Sequence, residues 1–180
     1  MSEFISVKID KNQIEELKNF FSSTVRELDK ASNRALKKTI DWARGKAIKE
    51  VTEQSNIQQK VLKTRTRTSV IPAQKEGRLW LGTYRISLIR LNAKQNKKGV
   101  KAGTRGAIFV KSAFLAPIKN SQLFTHQVFK RVGKKRLPIE KQVTDYSASA
   151  IGIKDKIMPH ISSEVIKKLR QELNWEASKR

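Results

Sequence analysis

The spacing of hydrophobic positions changes along the chain, and each change predicts a different element. Residues 5–9, Ile-Ser-Val-Lys-Ile, alternate apolar with polar, the two-residue period of a strand with one buried face. After Asp10 the period lengthens. Ile14, Leu17, Phe21, Val25, Leu28, Ala35, Ile40, Ala43, Ala47 and Val51 follow roughly the 3.6-residue period of an amphipathic helix. Asp10 and Gln13 form a capping-box pair at its start, each side chain placed to satisfy an orphan backbone N–H. No proline interrupts residues 11–54, and Gly45 is their only glycine. A helix of about 40 residues would reach about 60 Å, so it is expected either to kink near Asp29–Asn33 or to project towards neighbouring molecules.

Ser55 and Gln58 repeat the capping pattern, predicting a short helix over about 56–63. Residues 64–73 are β-branched and alternate Thr with Arg, an exposed-face strand that Pro72 places at an edge or an end. Its partner is expected over 78–83, after a turn at Lys75-Glu-Gly77. Residues 85–91 read as a strand or a docking loop. Residues 92–106 hold little core-forming material and read as a basic, Gly-rich, flexible loop. Strands are predicted over 107–115, 123–132 and 137–143, with a turn at residues 133–136. A helical turn over 147–153 precedes a closing helix over 154–177, whose Ile157, Ile161, Val165, Leu169 and Leu173 lie four apart, with Ile166 and Trp175 alongside. The order gives an α+β fold: a long N-terminal helix and a C-terminal helix on a mostly antiparallel sheet with a basic Gly-rich loop. The expected organisation is one domain over 1–180, comprising strand and long helix (1–55), a basic β-rich region (56–145) and the closing helix (146–180).

Composition sharpens this picture mainly through charge. The 180 residues include 39 Lys or Arg and 16 Asp or Glu, a formal +23. With 38% hydrophobic and 31% charged residues, the chain is polar but can still build a core. The excess is local. Residues 1–59 hold 11 basic and 9 acidic residues, and residues 142–180 hold 7 and 5. Residues 60–141 hold 21 basic residues and only two acids, Glu76 and Glu140, a net +19. So lopsided a field predicts an anionic partner: DNA, RNA or an acidic protein surface. The candidate contacts are Arg65 and Arg67 on one strand face, Lys94, Lys97, Lys98, Lys101 and Arg105 in the Gly-rich loop, and Lys130, Arg131, Lys134, Lys135 and Arg136 around a hairpin. No base-reading motif accompanies them, so any nucleic-acid contact is expected to be sequence-independent.

Other chemistry finds little support. The chain has no cysteine, and its two histidines, His126 and His160, lack spaced carboxylates, so neither a metal site nor a cofactor is expected. Acids are too sparse in the basic stretch for paired acid–base work. Gly99, Gly103 and Gly106 lack the Gly-Lys-Ser/Thr ending of a phosphate-binding loop. The expectation is a non-enzyme. The start lacks a charged segment followed by an apolar run, and no apolar stretch approaches membrane-spanning length, which predicts synthesis and use in the cytosol, away from membranes.

Several blocks then fall into a familiar order. Residues 78–82 (Arg-Leu-Trp-Leu-Gly), 86–91 (Ile-Ser-Leu-Ile-Arg-Leu), 99–103 (Gly-Val-Lys-Ala-Gly) and 128–140 (Val-Phe-Lys-Arg-Val-Gly-Lys-Lys-Arg-Leu-Pro-Ile-Glu) follow upstream segments 35–44 and 57–63. Together with the closing helix, this set resembles the minor tail protein Z family of lambda-like phages and prophages over about residues 30–175. Residues 142–147 replace the Tyr-Gly-Pro-like turn common in that family, and the stretch after Pro117 matches loosely. The resemblance implies a structural virion protein that completes the head-proximal end of the tail, built in the host cytoplasm. It implies a role in head–tail joining or in positioning the genome end. Its partners would be the tail terminator, other tail or head-connector proteins, further copies of itself in a homo-oligomeric ring, and non-specifically the phage DNA. No catalytic residue is carried over. The alternatives are a free, non-specific DNA-binding protein and a protein-only adaptor for acidic partners.

Overall fold

In a computed structural model the described residues are 2–9, 12, 25–118 and 126–179. In chain order the elements are β1 (Ser2–Lys8), α1 (Val25–Ser55), α2 (Gln59–Lys63), β2 (Thr66–Ile71), β3 (Glu76–Gly82), β4 (Ile86–Ser87), β5 (Lys94–Asn96), β6 (Gly99–Ala102), β7 (Ile108–Lys111), β8 (Ala113–Pro117), β9 (His126–Arg131), β10 (Ile139–Lys141), β11 (Val143–Thr144) and α3 (Ser147–Ala177). This is an α+β fold, with a long helix near each end and strands between. All described strand pairs are antiparallel. The single expected sheet is replaced by four small ones: β1-β3-β2, β10-β9-β8, β5-β6-β7 and the pair β11-β4. The expected capping pair Asp10–Gln13 and the apolar positions Ile14, Leu17 and Phe21 lie outside the described residues, as do residues 123–125 of one expected strand.

Two compact units divide the chain. The first, here the helical unit, takes the described parts of residues 2–47, with 66–82 and 151–179. In it α1 buries Leu28, Ala31, Ala35, Leu36, Ile40, Ala43 and Ala47 along one face. Four of these are alanines, which lose little side-chain entropy in a helix and allow neighbours to approach closely. Leu28, Ala31 and Ala35 form one buried cluster with Leu169 and Leu173 of α3. The helix runs unbroken through residues 29–33, where a kink was an option. Two of its buried hydroxyls are satisfied within it: Ser32 Oγ donates to the Leu28 carbonyl (2.7 Å) and Thr39 Oγ1 to that of Ala35 (2.8 Å). With no proline or glycine there nothing forces a bend, and the helix holds its course although Asn33 Oδ1 is buried without a hydrogen-bond partner. Against α1 lies the sheet with β3 at its centre. Ile5 and Leu79 are cross-strand partners on its buried face, and Gly77 lets Ile40 settle onto the backbone, since a Cβ there would sit 2.5 Å from Ile40 Cγ1.

The closing helix α3 is one element, where the sequence predicts a turn followed by a separate helix. Asp145 Oδ1 accepts from the Ser147 N–H (2.8 Å) and so opens the helix earlier. Pro159 stands inside it, but Asp155, whose carbonyl loses its helical partner, is exposed, so water can serve that carbonyl. Ile157, Ile161, Val165, Leu169 and Leu173 are all buried, as their spacing predicts.

The second, basic unit takes residues 48–65 and the described parts of 83–150. Its core holds Ile57, Leu62, Ile86, Leu88, Leu91, Val100, Ala102, Val128 and Tyr146, all nearly inaccessible. The capping pair expected at Ser55 and Gln58 does not form: Ser55 Oγ donates back to the Val51 carbonyl (2.6 Å), and Gln58 stands at the start of α2 with no side-chain cap. The expected flexible loop over 92–106 is instead the hairpin β5–β6 followed by a short 3-10 turn. Its ends are fixed by Asn96 Oδ1, which accepts the N–H groups of Lys98 and Gly99, and by the Thr104 N–H donating to the Asn56 carbonyl (2.7 Å). Gly103, at φ 81°, lies so close to Asn56 that a Cβ would come within 2.7 Å of its carbonyl oxygen. The strand expected over 107–115 breaks into β7 and β8 at Ser112, whose φ of 60° turns the chain from one sheet into another.

Candidate functional site

Over the full sequence ranges of the two units, positions outside the described residues included, the basic unit (48–65 and 83–150) holds 19 Lys or Arg and 4 Asp or Glu, a net +15, against 20 and 12, a net +8, in the helical unit (2–47, 66–82 and 151–180). Of its acids, Asp145 faces Arg85 at 3.7 Å and accepts from the Ser147 amide, the chief reason its carboxyl is held below the usual range. Glu140 is exposed on β10 opposite Lys130.

The twelve cations singled out in the sequence form two groups and two outliers. The first group lies on the sheet β5-β6-β7. Directly paired residues of antiparallel strands share a face. Lys94 pairs with Lys101, and Lys101 pairs with Phe109, so these three form one row. The next row is Asn96, Gly99 and Lys111. Lys94, Lys101, Phe109 and Lys111 are exposed, whereas Val100 and Ala102 on the other face are core. Beside this face opens a recess of about 390 Å³, whose lining includes Lys94, Lys101, Arg105, Gln58, Asn92 and Asn96 and no carboxylate. Arg105 reaches it from the 3-10 turn with φ 52°, between Gly103 and Gly106, and the Lys101 stem crosses Gly106 at 3.6 Å from where a Cβ would stand. Lys97 and Lys98 occupy the hairpin turn at the end of the same sheet.

The second group is the β9–β10 hairpin. Lys130 and Arg131 end β9, and Lys134, Lys135 and Arg136 form the connection; all are exposed. Val132, Leu137 and Ile139 are exposed among them. Arg131 lies over the Phe114 ring at 5.7 Å, and Phe114 pairs across the strands with Phe129. None of Lys94, Lys97, Lys98, Lys101, Arg105, Lys134, Lys135 or Arg136 forms an ion pair with a described carboxylate.

Arg65 and Arg67 do not share a strand face. β2 begins at Thr66, so Arg65 lies in the preceding turn and belongs to the basic unit, while Arg67 belongs to the helical unit. Arg65 is committed to structure: its Nη1 donates to the Tyr84 carbonyl (2.6 Å), and it hydrogen-bonds Tyr146, whose phenol is nonetheless pushed up, chiefly by burial. Arg67 stands over Trp80 at 6.0 Å. Phe109 and Lys111 were missed by sequence reasoning. The usable signal was the consecutive apolar run Ile108-Phe109-Val110, in which a strand must turn at least one side chain away from the core.

Among the described residues, no three His, Asp or Glu gather where they could hold a metal ion. Among them also, no helix is long and apolar enough to cross a membrane. No protein-family model, curated protein or solved structure matches the chain.

Proposed function

We propose that the protein is a non-enzymatic structural subunit of a long-tailed phage virion, which completes the head-proximal end of the tail and uses its basic unit as a docking surface. The observation that carries the docking role is the basic unit itself: over its sequence ranges 19 cations stand against 4 acids, and eight exposed cations in its two groups form no ion pair with a described carboxylate. Cations without an internal ion pair are available to an anionic partner. The virion role is supported by the ordered resemblance over about residues 30–175 to minor tail protein Z. In this reading copies of the chain form a ring at the tail end, joined by unlike faces. They act with the tail terminator and head-connector proteins, and the cations face an acidic neighbour or the genome end.

The experiment is to image and titre particles made with and without the chain. Loss of joined, infectious particles, restored by supplying the protein, is the expected result. Complete and infectious particles made in its absence would remove the reading. A free, non-specific DNA-binding protein is the competing reading, favoured by the carboxylate-free recess. It predicts tight duplex binding by the isolated chain with a steep salt dependence and no protein in purified particles.

A further inference from the structure

We propose that the exposed face of the β5-β6-β7 sheet binds single-stranded nucleic acid, with phosphates at Lys94, Lys101 and Arg105 and a base stacked on Phe109. The inference rests on the docking role of the basic unit and names the ligand of one of its two cationic groups.

Three observations converge on this face. The recess beside it offers three cations and no carboxylate, so no acid in its lining opposes an entering phosphate. Gln58 and Asn92 add amide donors to the same lining. Phe109 is 46% exposed, and it stands in register with Lys101 and Lys94, one strand spacing apart in each step. A phenyl ring held on a rigid sheet presents its π face to any base, and the flanking lysines hold the backbone that carries that base. Lys111, one row away on the same face, extends the positive track.

The arrangement selects a single strand over a duplex. Bases of a duplex are stacked on one another and shield their faces, so a duplex can use only the cations, while an unpaired base can use the ring as well. No side chain here is arranged to read base edges in a groove, which makes the binding indifferent to sequence. The β9–β10 hairpin differs. Its exposed Val132, Leu137 and Ile139 are aliphatic and provide no stacking surface.

The test is fluorescence anisotropy with the full-length chain and a labelled mixed-sequence oligodeoxynucleotide, an abasic oligomer of equal length, the matching duplex, and polyglutamate. The wild type is expected to bind the intact single strand about tenfold or more tightly than the abasic oligomer, the value of one stacked base. Phe109→Ala should abolish that preference and leave abasic binding unchanged, and Phe109→Trp should preserve it. Lys94→Glu with Lys101→Glu should weaken both. Phe109 is exposed, so its substitutions should leave the circular dichroism spectrum intact. Equal binding of intact and abasic strands, or an intact-strand affinity unaffected by Phe109→Ala, overturns this proposal while leaving a basic docking surface in place. Tighter binding of polyglutamate also overturns it and assigns the surface to acidic protein. Failure to bind any of the four polyanions at low salt overturns both the proposal and the docking reading beneath it.

Discussion

Glu76 is one of only two acids in a stretch of 82 residues otherwise dominated by lysine and arginine, and its environment explains why it is there. It is buried, at 3% exposure, and accepts hydrogen bonds from Arg78 Nε (2.6 Å) and Ser6 Oγ (2.7 Å). Arg78 first and Ser6 second hold its carboxyl at about 2 rather than the ordinary 4.5, against the opposing effect of burial. A depressed carboxylate contributes stability that is complete above its unfolded value and is lost as pH falls through its folded one. Thermal melts between pH 4.5 and 2 should therefore lose stability more steeply in the wild type than in Glu76→Gln. Parallel slopes for the two proteins would show that Glu76 is not the titrating group. Glu172 is the counterpart on α3. Burial pushes its carboxyl up, yet the bonds from Lys38 and Arg34 prevail and leave it lowered. Arg34 bridges Glu172 and Glu176 and also covers the Trp175 ring at 4.6 Å. Arg34→Ala should destabilise by about 1–3 kcal/mol, the cost of an under-satisfied buried acceptor, read from urea unfolding. Arg34→Lys should recover little, because an ammonium cannot make the forked, stacked contact of a guanidinium.

At the scale of elements, the helices were legible and the short strands were not. The four-residue spacing of Ile157, Ile161, Val165, Leu169 and Leu173 fixes the buried face of α3, because the pattern persists over enough turns to exclude a strand. The hairpin β5–β6 failed the same test. Only Val100 and Ala102 anchor it in the core, too few positions to establish a period, and its glycines suggested freedom where Gly99 and Gly103 serve positive φ values in a defined turn. The break at Ser112 was invisible, since a non-glycine residue at φ 60° leaves no mark in composition. The β9–β10 hairpin was legible as a cationic cluster, though not the exposure of its apolar side chains. In that hairpin Lys134, Lys135 and Arg136 are exposed and form no ion pair with a described carboxylate. Changing all three to Glu should leave thermal stability within roughly 0.5 kcal/mol per site and block head–tail joining in a complementation assay. Normal joining by this triple variant would take the hairpin out of the docking surface.

For the molecule as a whole, the question is whether +23 acts as a diffuse charge or as a local one. The sequence showed that the excess is concentrated, but could not show which cations share a face, because that depends on strand register. Lys94 and Lys101 are seven residues apart and meet only because β5 and β6 pair as they do, while Arg65 and Arg67, two apart, fall in different units. Two triple variants separate diffuse from local action. One changes Lys94, Lys101 and Arg105 of the basic unit to Glu. The other changes Lys46, Lys154 and Arg170, exposed cations of the helical unit, to Glu. Each replaces three positive charges by three negative ones, so the net charge falls equally. If the whole field attracts the partner, both lose affinity for a polyanion alike. At about 0.15 M salt, however, screening confines each charge to roughly 8 Å, so only cations at the contact contribute. The released counterions scale with the phosphates neutralised, at about 0.7 per contact for a single strand. The first variant should therefore flatten the plot of log affinity against log salt for an oligonucleotide by about 2, while the second leaves the slope at the wild-type value. Equal slopes in the two variants would mean that the charge acts at long range, and no face of the basic unit would then be distinguished as the place of contact.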